Sequence, residues 1–188
     1  MAAFFKSIIM KRRIVAAALS LGAFAAGAIQ VHAQNSEPIS TSVNIILADV
    51  IAMDLGSVAS ESVDFNYTNT ADYNSSKNVT VPNSVVIISS KNFDVKVKSE
   101  GASFVSGSNA IPVDVLKVKA VSGGTLMGTM NEVTLSTADQ VLVSNAALGY
   151  KQSLNIAYSI SAEKASNVLL GKPKGTYIQK VIYTATAL

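Results

Sequence analysis

Apolar residues stand at every second position in several short stretches of this chain, and polar or glycine-containing connections separate the stretches. In residues 93–98, for example, Phe93, Val95 and Val97 alternate with charged residues. A period of two is the side-chain period of a β-strand that buries one face. The sequence therefore predicts about nine short strands in an all-β fold, an antiparallel two-sheet sandwich with immunoglobulin-like Greek-key connections. A β-barrel is the alternative.

The end of the chain, residues 175–188, is predicted to be the strand that closes the fold. Gly175 follows Pro173 and gives a turn, and Tyr, Ile, Val and Thr residues favour strands. Apolar residues fall on both faces: Tyr177, Val181, Tyr183 and Ala185 on one, and Ile178, Ile182 and Leu188 on the other. This pattern predicts a strand that is covered on both sides, near the middle of the sandwich.

Residues 1–33 have the composition of a secretory signal peptide. Its cationic residues are Lys6, Lys11, Arg12 and Arg13. The apolar run that follows, residues 14–29, is shorter than the ~20 residues of a membrane-spanning helix. Val31 and Ala33 are small residues at the −3 and −1 positions of a cleavage site. We therefore expect a mature chain of one domain, residues 34–188, without a transmembrane segment and secreted to the periplasm or cell surface of a Gram-negative bacterium.

Removal of this segment changes the chemistry of the chain. The only histidine, His32, and both arginines lie in the segment, and the chain has no cysteine. The predicted mature chain keeps 11 of the 15 basic residues, all of them lysines, and all 12 acidic residues, so its net charge is −1. This composition argues against a nucleic-acid partner. It also argues against histidine- or cysteine-based catalysis and most zinc sites, so we expect no enzyme, no metal and no cofactor. A hydrolase that pairs Asp49 with Asp54 or Asp64 is the remaining catalytic alternative.

An alternating run near the start of the mature chain, residues 39–55, is longer than the ordinary strand of about 5 to 6 residues. Its apolar odd positions are Ile39, Val43, Ile45, Leu47, Ile51, Met53 and Leu55. We expect either two strands that bend near Ala48 and Asp49 or one strand that follows a free extension. A helix over residues 46–53 is the alternative, since that piece contains neither glycine nor proline.

The middle of the chain predicts further strands over residues 62–67, 81–90, 111–121, 133–135, 141–143 and 150–160. Residues 89–92 are predicted to form a hairpin turn, and a change of phase near Val115 and Leu116 predicts a β-bulge. The alternation in the last of these stretches assigns one buried face to Tyr150, Leu154, Ile156, Tyr158 and Ile160.

The polar connector, residues 68–79, offers the two candidate sites for small ligands. Tyr67, just before it, and Tyr73, within it, are the candidate exposed platforms for a glycan, because the other tyrosines fall on faces assigned to the core. Oxygen ligands in the same loop, centred on Asp72, could hold calcium, but the spacing lacks the frame of an EF-hand. A solvated loop is the simpler interpretation.

The predicted signal peptide, the all-β mature chain and the final strand, opened by Gly175 with Tyr177 two residues later, resemble the ending of chaperone-usher pilin subunits and of spore-coat-U-like domains. The mature chain also resembles small β-sandwich proteins secreted by Bacteroidetes-type bacteria. It differs from many pilin subunits in its penultimate residue, Ala187, and in its lack of cysteine.

The pilin resemblance implies an incomplete immunoglobulin-like sandwich that the N-terminal strand of the next subunit completes by strand addition. The implied donor positions are Ile39, Val43, Ile45 and Leu47, and the implied acceptor positions are Gly175, Tyr177, Val181 and Tyr183. The implied partner is another copy of the chain or a periplasmic chaperone. We therefore expect a non-catalytic structural or adhesive surface protein; the alternative is a monomeric module that binds cell-wall glycan.

Overall fold

The computed structural model describes residues 40–56 and 62–188. The predicted signal peptide and Ile39 lie outside these residues. The chain divides into two compact units, one that ends at Ile45 and one that comprises Ile46–Leu188. In the first unit the described residues, 40–45, are exposed and have no regular structure.

The second unit contains eleven strands among the described residues. They are β1 (Ile51–Leu55), β2 (Lys77–Ser89), β3 (Phe93–Ser99), β4 (Ser103–Ser106), β5 (Asn109–Pro112), β6 (Leu116–Val121), β7 (Thr129–Met130), β8 (Glu132–Thr134), β9 (Gln140–Ala146), β10 (Gly149–Ile160) and β11 (Val181–Ala187). The helical pieces are short: Thr70–Tyr73, the 3₁₀ turn Val113–Val115, and Ala162–Lys164 with the π-type turn Ala165–Leu169. None of the described helices has the length and apolar character needed to cross a membrane.

Two open antiparallel sheets pack face to face. The first sheet has the order β1-β2-β10-β6-β8, the second has the order β11-β3-β9-β7, and β4 with β5 forms a separate hairpin. From β6 to β11 each strand lies in the sheet opposite to its predecessor, so the connections cross the sandwich. The predicted all-β, two-sheet antiparallel sandwich is confirmed. The barrel alternative is wrong, because both sheets end in unclosed strands.

The core lies between the two sheets and follows the period of two. Phe93, Val95 and Val97 of β3 are fully buried, and Leu154 and Ile156 of β10 face them from the first sheet. Full burial of an aliphatic or aromatic side chain contributes about 1.5–3 kcal/mol. The alternation in the sequence therefore identified the inward faces of the strands that hold the two sheets together.

The residues between β2 and β3 do not form the predicted hairpin. β2 belongs to the first sheet and β3 to the second, so the turn carries the chain across the sandwich. Ser89 stabilises it: its hydroxyl donates to the Lys91 carbonyl over 2.6 Å and accepts from the Lys91 amide over 3.2 Å. A short polar connection suits either a hairpin or a crossing, which is why the prediction was wrong.

Two further predictions are corrected by local backbone geometry. The change of phase near Val115 and Leu116 is a 3₁₀ turn after Pro112, which ends β5, and not a bulge. In β10 the pairing with β2 shifts between Gly149 and Gln152, where Lys151 has φ +51°. This irregularity leaves Tyr150 75% exposed, so its assignment to the core was wrong.

Of the described residues in the long N-terminal run, only the last five form a strand. β1 begins at Ile51, and the described residues before it have no regular structure, which confirms the expectation of one strand after an extension. The helix alternative for residues 46–53 is wrong. Residues 62–67 alternate as predicted, with Val63, Phe65 and Tyr67 packed against the core, but they belong to no sheet.

Candidate strand-docking edge

The last strand, β11, lies at the edge of the second sheet. It pairs with β3, from Val181 opposite Ser99 to Ala187 opposite Phe93. The predicted position near the middle of the sandwich is therefore wrong, and the strand begins at Val181 rather than at Gly175. Among the described residues no strand pairs with its outer side. The outer amide and carbonyl groups of an edge strand are a template for a further strand.

Alternate side chains of β11 face the core. Val181, Tyr183 and Ala185 pack against it, whereas Thr184 and Thr186 are exposed. This division agrees with the face assigned from the sequence. Side chains on a donated strand beside β11 would therefore meet the same core, because strands in one sheet share their faces.

A hydroxyl pair fastens this edge strand to the opposite sheet. The Oη atoms of Tyr183 on β11 and Tyr158 on β10 are 2.6 Å apart. Burial raises the pKa of Tyr183 above its usual range, and the neighbouring Tyr158 raises that pKa further. Burial likewise raises the pKa of Tyr158. Both hydroxyls therefore stay neutral at neutral pH and hold β11 in place without a second neighbouring strand.

The edge of the first sheet lies on the same side of the sandwich. β1 is the terminal strand of that sheet and lies beside β11. Met53 of β1 is partly buried against the core. A small pocket at one end of the two strands is lined by Asp49, Val50, Ile51, Ser90, Lys91 and Ala187. We call this side, formed by β1 and β11, the open side.

The chain also carries an exposed segment with the pattern of a donor strand. Val43, Ile45 and Leu47 are 81%, 82% and 88% exposed, and the residues around them have no regular structure. In an extended strand these three side chains would lie on one face. We call residues 43–47 the donor segment.

An ion pair and two hydrogen bonds fix the chain just after the donor segment. The Lys91 ammonium is 2.6 Å from the Asp49 carboxylate. The Val50 amide donates to Ser90 Oγ over 2.8 Å, and the Ser90 amide donates to the Val50 carbonyl over 2.8 Å. The chain is therefore held at the turn between β2 and β3 immediately before β1 begins.

Two of the implied acceptor residues lie outside β11. Gly175 and Tyr177 are in the irregular segment before it, where the Tyr177 hydroxyl donates to the Pro173 carbonyl over 2.8 Å. Val181 and Tyr183 lie on the edge strand itself. Of the predicted acceptor positions the structure thus brings only these two to the open side.

The two candidate glycan platforms contact each other. The rings of Tyr67 and Tyr73 have centroids 5.2 Å apart at 40°, and Lys77 Nζ lies 5.0 Å from the Tyr67 centroid. Tyr67 also packs against the core, and its burial raises the pKa of the phenol. Both side chains are only partly exposed, and Tyr150 is far more exposed than either.

The loop considered for calcium is organised as a helix cap. The Asp72 carboxylate accepts from the Thr68 amide over 2.7 Å, from the Asn69 amide over 3.1 Å and from Lys77 Nζ over 2.7 Å. The hydrogen bond from Lys77 is the largest cause of the lowered pKa of Asp72, and the backbone hydrogen bonds from Thr68 and Asn69 lower that pKa further. Across residues 40–56 and 62–188 no group of three or more acidic or histidine side chains could hold a metal ion.

A scan against models of known protein families gives no match, and no curated protein is significantly similar to the chain in sequence. The resemblance to pilin-type subunits therefore stays a prediction. What the sequence did not reveal is the edge position of β11 and the Tyr158–Tyr183 pair.

Proposed function

We propose that this protein is a non-catalytic structural subunit, exported to the periplasm or cell surface, that joins other copies by strand addition along β11. The observation that carries the proposal is that the same chain contains an edge strand with no neighbour on its outer side among the described residues, and an exposed segment with alternating apolar residues. Each feature is what the other needs, because an edge supplies backbone partners and a donor supplies side chains for the core.

The donor segment suits the open side in its chemistry. Val43, Ile45 and Leu47 would extend the apolar surface made by Val181 and Tyr183. Burial of each such side chain contributes about 1.5–3 kcal/mol, apart from the new backbone hydrogen bonds. Three side chains at alternate positions would thus give a stable joint whose specificity comes from the fit of each residue.

The first test compares the mature chain with a variant that lacks residues 34–47, by light scattering after size-exclusion chromatography and by unboiled denaturing gels. We expect the mature chain to form a ladder that collapses on boiling and the shortened chain to give a monomer. A periplasmic chaperone bound to β11 is compatible with the monomeric core.

A matched set of charge substitutions separates the strand pattern from net charge. Aspartate at positions 43, 45 and 47 should abolish the ladder, because three carboxylates cannot enter the core. Aspartate at Ser42, Asn44 and Ile46 adds the same charge at positions of the other parity, on the other face of the extended strand, and should leave the ladder in place. An oligomeric state that is the same in all variants, or a monomeric mature chain, would refute assembly by strand addition.

A further inference from the structure

The hairpin of β4 and β5 pairs with the piece of chain that leads into β11. Within the hairpin, Val105 lies opposite Ala110. On its other side Val105 lies opposite Ile178, and the two backbones exchange hydrogen bonds of 3.0 Å in each direction. Residues directly opposite each other on antiparallel strands place their side chains on the same face. Ala110, Val105 and Ile178 therefore form a row across three adjacent lengths of chain.

This row of apolar side chains faces solvent. Val105 and Ile178 are 53% and 64% exposed, and Ala110 is exposed as well. The residues next to them in the hairpin face the opposite way: Phe104 packs against the core, and Ile111 is buried. Because side chains alternate along a strand, the row lies on the outer face of the hairpin.

Lys180 lies on the same outer face. Over residues 177–180 the exposed side chains, Ile178 and Lys180, alternate with half-buried ones, as in an extended chain. The Lys180 ammonium is 3.9 Å from the Glu100 carboxylate, and the two side chains are 77% and 57% exposed. An ion pair so exposed contributes little, so the ammonium is available to a stronger anionic partner.

Lys172 approaches the row from its other end. Its ammonium donates to the Ala110 carbonyl on β5 over 3.0 Å. An ammonium has three donors, so two remain for a ligand. The two lysines thus stand on either side of Val105, one beside each neighbouring length of chain. We call the row and its two lysines the hairpin face: Ala110, Val105, Ile178, Lys172 and Lys180.

Hydrogen bonds fix the segment that presents the lysines. The Gln179 Nε2 atom donates to the Ser103 carbonyl of β4 over 2.8 Å. The Tyr177 hydroxyl donates to the Pro173 carbonyl over 2.8 Å and so closes the loop between the two lysines. The hairpin face is therefore arranged before a partner binds, and binding costs less conformational entropy than it would on a mobile loop.

Charge is unevenly distributed along the predicted mature chain. Residues 165–188 contain Lys172, Lys174 and Lys180 and no acidic residue, whereas residues 34–71 contain five acidic residues and no basic one. The hairpin face thus draws its lysines from the positive part of a chain whose net charge is slightly negative. A local concentration of one sign of charge attracts ligands of the opposite sign, so the partner of this face is anionic.

The side chains of the hairpin face distinguish between two kinds of anionic partner. An acidic polysaccharide would stack its sugar rings on aromatic side chains, and none of the five residues of this face is aromatic. Its apolar residues are aliphatic, and aliphatic side chains enter the boundary between lipid headgroups and acyl chains. Lysines beside them keep their ammonium groups at the level of the phosphates. The combination favours an anionic lipid surface.

We propose that the hairpin face docks this protein on a lipid surface with anionic phosphate headgroups. Val105 and Ile178 enter the headgroup layer, and the ammonium groups of Lys172 and Lys180 bind phosphate oxygens. The proposal goes beyond strand addition, because it uses the outer face of the hairpin and not the edge of β11.

Flotation of the mature chain with phospholipid vesicles tests the proposal. Vesicles of phosphatidylglycerol and phosphatidylcholine supply anionic headgroups, and vesicles of phosphatidylcholine alone are the neutral reference. We expect binding to the anionic vesicles and none to the neutral ones. Binding should weaken as the salt concentration rises, because ions screen the attraction between ammonium and phosphate groups.

A double variant, Lys172→Gln with Lys180→Gln, tests the contribution of the lysines. Each lysine near an anionic lipid surface strengthens binding roughly fivefold, so we expect this variant to bind the anionic vesicles roughly 30-fold more weakly. Lys117→Gln with Lys119→Gln is the matched control. It removes the same charge from the exposed side of β6 and should bind as the unsubstituted chain does.

A second double variant, Val105→Ser with Ile178→Ser, tests the contribution of the aliphatic row. We expect it to bind the anionic vesicles about tenfold more weakly or worse, since its side chains no longer gain from leaving water. Met127→Ser with Leu148→Ser is the matched control, because these side chains are 69% and 57% exposed outside the hairpin face. That control should bind normally.

Circular dichroism and thermal unfolding establish that each variant is folded, and if one double variant fails to fold the other still decides the result. No flotation with anionic vesicles, equal binding to neutral ones, or the same loss in a control as in its partner overturns the proposal. Retention on an immobilised acidic polysaccharide without flotation also overturns it and identifies a polysaccharide partner instead. The ladder assay on the same variants reports strand addition separately, so either proposal can fail alone.

Discussion

The edge strands on the two sides of the sandwich differ in length and in charge. On the side away from β1 and β11, the edge strands β8 and β7 contain three and two residues. Glu132 of β8 forms ion pairs of 2.9 Å with Lys117 and 4.0 Å with Lys119. On the open side β11 has seven residues, VIYTATA, and none is charged. Short, charged edges resist strand addition, and long apolar ones permit it.

The difference fits the proposed strand addition: the short, charged edges of β7 and β8 disfavour it on one side, which we call the protected side, and the long, uncharged β11 permits it on the open side. A sandwich with two open sides would aggregate in many ways, because any copy could add at either edge. Of the two edge strands on the open side, β11 is longer than β1 and has no charged residue, so we propose addition at β11. Restriction to one edge is what the proposed linear polymer requires, so in this proposal the protected side matters as much as the open one does.

The largest expected effect comes from placing a charged side chain on β11, so that the open side becomes charged like the protected side. Ala185→Lys places a cation on the inward face of β11, where a donated strand would have to bury it. We expect complete loss of the boiling-sensitive ladder, with only a small loss of stability, because a lysine at an edge can extend its ammonium to water. The measurement is the ladder assay with thermal unfolding in parallel.

Thr184→Lys is the matched control, since Thr184 lies next along β11 and its side chain is exposed on the outer face. The ladder should persist in this variant. Equal loss of the ladder in both variants would show that charge anywhere near β11 prevents assembly, and would remove the argument from the inward face.

A smaller effect is expected from the Tyr158–Tyr183 pair, which secures the open edge. Burial raises both pKa values, so in the unfolded chain these hydroxyls ionise first, near pH 10. The contribution of the pair to the free energy of unfolding is thus fully present below about pH 10. Above that pH the free energy of unfolding falls by up to about 1.4 kcal/mol per pH unit for each tyrosine that the folded chain keeps neutral. Tyr183→Phe should lower the free energy of unfolding by about 1 kcal/mol at neutral pH and make its fall above pH 10 less steep.

Urea unfolding between pH 7 and pH 11 measures both effects. Tyr177→Phe is the control, because the Tyr177 hydroxyl donates to the nearby Pro173 carbonyl in the loop before β11 and not to the opposite sheet. An alkaline decline of the same steepness in the Tyr183→Phe variant and in the unsubstituted chain would contradict the role assigned to the pair.

The sequence predicted which residues face the core but not which strands are neighbours. Alternation identified Val95 of β3 and Val181 of β11 as inward because the side-chain period is a local property of the backbone. Sheet order depends on where each connection takes the chain. Residues 89–92 look the same whether they reverse within a sheet or cross between sheets, so the hairpin prediction was wrong.

The same limit applies to the candidate site. The apolar pattern of Val43, Ile45 and Leu47 indicated a donor strand, but the edge position of β11 depends on which strands pair with it in space, and that is not a local property of the sequence. Tyr150 was assigned inward because its parity matched that of Leu154. The left-handed Lys151 between them breaks the alternation, and a lysine gives no indication in the sequence that it will adopt such a conformation.

The smallest effect should come from the protected side. Glu132→Gln removes both ion pairs, but the side chains involved are 39–55% exposed, so solvent and salt screen the interaction. We expect the free energy of unfolding to fall by less than about 1 kcal/mol, and by still less in high salt. The ladder should be unchanged, because β8 remains too short to accept a strand. Urea unfolding at low and high salt measures the loss. Growth of irregular aggregates in this variant would mean that charge, and not strand length, protects this side, and the contrast between the two sides would then rest on electrostatics alone.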